Sequence, residues 1–231
     1  MNDKQYRIYV CGDSHTGVFI YAKKKKYPRI LNIVTVNPRP GKTAGGLCRR
    51  SNMDFFINPL ANLKAKIDYL IVQLGEIDCD IYLWVRAKGD YNSLIDNLET
   101  ATDNIIQLAR EAIATGNIKQ AIILGPIIPI LTTHENLPPS LHKRTQVTES
   151  HIDRTNLTLL FCKRLKMKAE ASGFLYLDIN DKIIDKATGV THIKVFKGPG
   201  GWHHLAKPIG VTLWIPAVEQ LILKDNKNAT T

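Results

Sequence analysis

The sequence predicts an α/β fold, with a parallel sheet carrying helices on both faces. Three observations lead there. Five short apolar runs are separated by longer helical patterns. The runs alternate only weakly between apolar and polar positions, which suits strands covered on both sides. The repeated order strand, helix, strand favours parallel pairing through crossover helices.

The strands are read in order from their composition and their stops. Tyr6 to Cys11 (YRIYVC) ends at Gly12, and Leu31 to Val36 (LNIVTV) is stopped by Asn37, Pro38 and Pro40. Ile67 to Leu74 (IDYLIVQL) ends at Gly75, and Gln120 to Leu124 (QAIIL) ends at Gly125-Pro126. Phe174 to Ile179 (FLYLDI) is the fifth.

Three helices stand out between and after them. Leu94, Leu98, Ala101, Ile105, Leu108 and Ala112 recur at helical spacing on one face. Ser93 with Asp96 reads as a capping box at its start, and Gly116 as its stop. A second helix is read from about Glu149 to Ser172 on Leu157, Phe161, Leu165 and Ala169, ended by Gly173. A last helix covers Pro208 to Leu223 and opens near its proline. Residues 1–223 form one domain in this reading, and residues 224–231 a disordered tail. The stretch Pro126 to Thr148 is long enough to read as a functional loop.

Composition narrows the class of protein. The 231 residues suit one large α/β domain. A chain of this size buries roughly 70% of its unfolded surface and needs no disulfide or metal to hold a core. Hydrophobic residues at 44% and charged residues at 23% exclude disorder, collagen and coiled coil. The net charge of +10 raises the local concentration of anionic partners, whether nucleic acid, anionic glycan, phosphorylated substrate or acidic membrane. Charge alone does not choose among them. No apolar run approaches the roughly 20 residues of a membrane span. Met1 to Val10 shows no secretory cleavage pattern, so a cytoplasmic location is expected. Cys11, Cys48, Cys79 and Cys162 are scattered and read as free, buried small hydrophobes.

Ligands of open parallel sheets bind beyond the carboxyl ends of the strands. The turns there are Gly12-Asp13-Ser14-His15, Lys42 to Cys48, Gly75-Glu76-Ile77-Asp78 and the loop from Gly125. Ser14 on a strand-to-helix turn is presented to solvent beside N–H groups that favour an oxyanion. The plainer reading is that Ser14 or Asp13 only caps the next helix. A nucleophilic serine needs a base. Of the histidines at 15, 134, 142, 151, 192, 203 and 204, the pair His203-His204 lies between a glycine turn and the last helix.

These blocks together resemble the SGNH (GDSL-type) hydrolase family. Gly12-Asp13-Ser14 matches its nucleophile motif. Thr43-Ala44-Gly45-Gly46-Leu47 resembles its second block, and Gly75-Glu76-Ile77-Asp78 falls at the third. Gly201-Trp202-His203-His204 falls at the last. More narrowly, Gly-Asp-Ser-His and Gly-Glu-Ile-Asp-Cys resemble a subgroup associated with polysaccharide biosynthesis and modification.

The resemblance implies a flavodoxin-like three-layer α/β/α sandwich around a central parallel five-stranded sheet. It implies a serine esterase that cleaves an acyl ester, foremost an O-acetyl group on a carbohydrate, through an acyl-enzyme. Ser14 is then the nucleophile, His204 the base, and the backbone N–H groups of Ser14 and Gly46 the oxyanion hole. Asp13, Glu76, Asp78 and His203 are the supporting candidates, with His15 and Trp202 read as substrate-binding.

Two positions depart from the family pattern. Ile77 stands where the third block carries asparagine, and Gly201 where the last block carries aspartate. A sugar O-acyltransferase and a non-catalytic glycan- or anion-binding protein are therefore the alternatives. No cofactor and no metal is implied, because the sequence holds no zinc-ligand spacing, Walker A motif or dinucleotide fingerprint. The partner expected is a small-molecule or glycan ester, with the positive charge favouring an anionic one, rather than nucleic acid. The basic runs Lys23 to Lys26 and Arg49-Arg50 are read as solvated faces or as a patch for such an anion.

Overall fold

Five strands hydrogen-bond in the order β2-β1-β3-β4-β5, all parallel. They are β1 (Tyr6–Gly12), β2 (Leu31–Pro38), β3 (Ile67–Gln73), β4 (Ile118–Leu124) and β5 (Leu175–Leu177). The computed structural model describes residues 5–130, 144–191 and 206–228. Each strand falls within a few residues of its sequence-predicted run. The parallel sheet with helices on both faces is the fold the sequence predicted.

Inward alternation along the strands builds two cores. Tyr9 and Cys11, Leu70 and Val72, and Ala121 and Ile123 face one layer. That layer holds α2 (Arg50–Ala61), α4 (Tyr91–Ala114) and α5 (His151–Ala171). Ile8 and Val10, Tyr69 and Ile71, and Ile122 and Leu124 face the other. There α1 (Gly17–Lys25) packs beside α7 (Lys207–Asn228). Two short helices, α3 (Leu83–Ala87) and α6 (Asn180–Ile183), complete the α-helices that are named among the described residues.

The predicted helical stripes are buried. Leu94, Leu98, Ala101, Ile105, Leu108 and Ala112 of α4 all lie in the core, as do Leu157, Phe161, Leu165 and Ala169 of α5. Each such side chain stabilises the fold by up to about 1.5–3 kcal/mol through apolar burial. Gly116 and Gly173 follow these two helices, as read from sequence.

Three boundaries differ from the sequence reading. Helix α4 begins earlier, because Asp90 accepts from the N–H groups of Asn92 and Ser93 and so caps it instead of Ser93. Helix α7 begins at Lys207, one residue before Pro208. It also runs to Asn228, so residues 224–228 are helical and not a disordered tail. The reason is tertiary: the Tyr69 hydroxyl donates to Asp225 at 2.8 Å and accepts from Asn226 at 2.7 Å. Those bonds draw the last turn against β3. The thiols also differ from the uniformly buried set read from the sequence. Cys11, Cys79 and Cys162 are buried, whereas Cys48 is exposed.

The strand order places a topological switch between β1 and β3, because the chain leaves β1 for β2 on one side and returns to β3 on the other. The crevice outside the carboxyl ends of β1 and β3 is where such sheets bind ligands. Among the described residues, no helix is long and apolar enough to cross a membrane.

Candidate active site

The first wall of the crevice is the turn after β1. Gly12 lies so close to β3 that an added Cβ would meet the Gln73 carbonyl oxygen at 1.9 Å. The Asp13 N–H donates to that same carbonyl at 3.1 Å, which ties the turn to β3. Asp13 then caps the short 3-10 turn Ser14–Thr16, its Oδ1 accepting from the His15 N–H at 2.8 Å. Capping is therefore carried by Asp13, not by Ser14, and Ser14 sits half-buried as the first residue of the turn.

His15 turns inward. Its Nδ1 lies 3.1 Å from Asp13 Oδ1 and 3.8 Å from Glu76 Oε2. Asp13, His15 and Glu76 are all buried. Two carboxylates named from the sequence, Asp13 after β1 and Glu76 after β3, thus meet at the His15 imidazole.

The second wall follows β3. After Glu76 and Ile77 the chain makes one wide π turn, Asp78–Tyr82, that leads into α3. Asp78 is fully buried, and its carboxylate accepts from the N–H groups of Ala44 at 2.7 Å and Gly45 at 2.9 Å. Burial pushes its carboxyl up to about 6, although those two N–H groups and the nearby Arg86 favour the charged form. An added Cβ on Gly45 would meet Asp78 Oδ1 at 3.2 Å and Arg86 Nη1 at 2.6 Å. Only a residue without a side chain lets the carboxylate and the guanidinium approach this loop. The sequence named Asp78 as a candidate orienting carboxylate; in the structure it holds the Thr43–Gly46 loop in place.

Gly46 lies in that loop. Its N–H donates to Thr43 O at 3.1 Å and to Thr43 Oγ1 at 3.0 Å, and its carbonyl accepts from Asn52 Nδ2 at 2.7 Å. An oxyanion drawing on Gly46 would share this N–H with Thr43. Ile77 is half-buried and offers no side-chain donor at the position where the resembled family carries asparagine.

The crevice also contains residues that sequence reasoning missed. Asp80 is buried between two buried arginines, pairing with Arg144 on one oxygen and Arg154 on the other. Arg144 Nη2 also reaches Glu76 Oε1 at 3.5 Å. Burial lowers the Arg154 guanidinium to about 10, against the pull of nearby Glu76 and Glu149. The signal for Arg154 was present in the helix pattern. It stands one turn before Leu157 and two before Phe161, so it occupies the apolar stripe of α5. An arginine on such a stripe implies a buried acidic partner. Arg144, in a loop, carried no comparable signal.

The other sequence candidates, Trp202, His203 and His204, lie outside the described residues, as do His134, His142 and His192. His151 lies against the Pro129 carbonyl at 2.8 Å. Among the described residues, no group of three or more His, Cys, Asp or Glu side chains is placed to hold a metal ion.

Known structures share this doubly covered parallel sheet. A GDSL-like lipase from Bacteroides thetaiotaomicron superposes with a TM-score of 0.62 at 16% identity, over 95% of this chain and 89% of that chain. An acetylxylan esterase from Geobacillus stearothermophilus gives 0.52 at 14% identity, over 96% of each chain. Phospholipase A1 from Streptomyces albidoflavus gives 0.53 at 10% identity, over 94% of this chain and 99% of that chain. At these identities the likeness establishes the shared fold. No family model matches the chain, and no curated protein matches it in sequence.

Proposed function

We propose that this chain is a serine esterase that cleaves an acyl ester, foremost an O-acetyl group on a carbohydrate. The observation that carries the reading is the turn after β1. Asp13 caps the turn, and the half-buried Ser14, its first residue, stands at the switch-point crevice as the candidate nucleophile. The shared fold with an acetylxylan esterase and a GDSL-like lipase supports the same reading.

In this mechanism Ser14 Oγ attacks the acyl carbon and gives its proton to a general base. His204 is the proposed base, with His203 as its neighbour and Trp202 beside the substrate. The tetrahedral oxyanion takes hydrogen bonds from the Ser14 N–H and from the Gly46 N–H as it turns from Thr43. The base then protonates the sugar alkoxide, which leaves, and water repeats the sequence on the acyl-enzyme. A sugar hydroxyl in place of that water would make the same site an O-acyltransferase.

Hydrolysis of p-nitrophenyl acetate by the whole chain tests the proposal. Replacement Ser14→Ala is expected to lower turnover by roughly a thousandfold or more. Equal turnover by both proteins sinks the serine mechanism.

A second reading has an observation in its favour. The N–H groups of Ala44, Gly45 and Gly46 are all engaged within the protein, by Asp78 and Thr43. A site whose loop donors stay engaged would bind a glycan without cleaving it. Burst release of p-nitrophenol in proportion to enzyme excludes this second reading.

A further inference from the structure

The overall charge of +10 suggested an anionic partner, and the structure shows which cations are positioned to meet one. The two basic runs are poor candidates. Helix α1 starts at the carboxyl edge and runs back across the sheet, so Lys23 to Lys26 end beside the start of β2, at the edge away from Ser14. Lys23 Nζ donates to the Val34 carbonyl at 2.7 Å. In the second run, Arg50 is neutralised by Asp54 and Glu111, each at 2.7 Å.

Two other cations differ. Arg39 follows β2 directly, and its N–H donates to the Gly12 carbonyl at 2.8 Å. Pro38 is the ladder partner of Gly12, so Arg39 stands one strand spacing, about 4.8 Å, from the residues that lead into Ser14. Lys42 lies one turn further on, next to the Thr43–Gly46 loop. Both cations sit over the half-exposed ring of Phe55, with Lys42 Nζ 4.6 Å and the Arg39 guanidinium carbon 5.5 Å from its centroid. Lys42 Nζ donates to Asn52 Oδ1 at 2.5 Å, and Arg39 Nη2 reaches the Phe55 carbonyl at 3.5 Å. Among the described residues no carboxylate pairs with either cation, and the buried Arg39 Nε has no hydrogen-bond partner.

We propose that Arg39 and Lys42, seated on Phe55 at the mouth of the Ser14 crevice, form a subsite for the carboxylate of a uronic-acid residue. The ester delivered to Ser14 is then carried by an acidic polysaccharide. Guanidinium and ammonium groups without a protein carboxylate select an anion over a neutral sugar. Fixing the two cations on an aromatic face keeps them aimed, since cation–π contact holds each side chain without neutralising it. A nucleic-acid track fits less well. It needs aromatic faces open to stacked bases, whereas the Phe55 ring already carries the two cations.

The substrate class rests on the Ser14 reading, so the test separates the two. Calorimetric titration of the full chain carrying Ser14→Ala measures binding with no turnover involved. Trigalacturonate is expected to bind at least about tenfold more tightly than xylotriose, and more weakly as salt rises. Arg39→Gln is expected to weaken trigalacturonate about tenfold and leave xylotriose unchanged. Lys42→Gln, at a more peripheral position, is the second variant and moves binding the same way; melting curves confirm that both are folded. Equal affinity for the two trisaccharides, binding of neither, or no response to either variant overturns the subsite. Tighter binding of oligothymidylate with the same dependence on Arg39 overturns it too, in favour of nucleic acid. Failure here with Ser14-dependent turnover intact removes only the acidic sugar. Success here without that turnover removes only the esterase.

Discussion

Two sets of charges flank the same crevice and are treated in opposite ways. On the β3 side, Glu76, Asp80, Arg144 and Arg154 are buried and paired with one another. On the β2 side, Arg39 and Lys42 are only half-buried and are paired with no carboxylate among the described residues. The difference follows from the cost of desolvation. A buried charge must be matched inside the protein, so the inner set holds shape. A cation at the rim keeps part of its hydration and needs no internal partner, so it stays available to a ligand.

Removing one member of the inner set is the strongest way to break this contrast. Asp80→Ala removes the carboxylate that two buried guanidiniums share and is expected to cost about 3–5 kcal/mol in urea unfolding. A cost near zero would mean that water already solvates the arginines. Gly12→Ala tests the neighbouring backbone. The new methyl group must displace the Gln73 carbonyl, for a loss of at least about 3 kcal/mol by the same measurement.

Asp78 sharpens the contrast through pH. Its folded carboxyl titrates at about 6, above the unfolded value, so the native state binds the proton more tightly. Its contribution is therefore fully present only below the unfolded value of 3.8 and is lost as pH rises through about 6. Relative to Asp78→Asn, the unsubstituted chain is expected to lose about 2–3 kcal/mol between pH 4 and pH 7. A constant difference across that range would place the carboxylate in contact with water. At the rim the effect is smallest: Lys42→Gln should change stability by no more than about 0.5 kcal/mol. A larger loss would make Lys42 structural and blur the distinction.

The same distinction explains what was legible in the sequence. The strands and the stripes of α4 and α5 were legible because apolar periodicity reports burial directly. The serine turn was legible because it follows β1 without a gap. The start of α4 was not, because Asp90 and Ser93 both have capping chemistry and only geometry chooses Asp90. The end of α7 was hidden because Tyr69, far away in sequence, holds Asp225 and Asn226. Asp78 was legible as a carboxylate at the site but not as the acceptor that clasps Ala44 and Gly45. Arg39 and Lys42 were not legible, because they belong to no run of charge and their position depends on the ladder partner of Gly12 and on a ring from α2.

The central claim is that Ser14 is the nucleophile of an acyl-transfer site, and covalent labelling tests it most directly. The whole chain is treated with a fluorophosphonate and the adduct located by peptide mass spectrometry. One adduct is expected on Ser14, absent after Ser14→Ala. A protein left unlabelled while a control serine esterase reacts, or labelled elsewhere to the same extent in both forms, would contradict it.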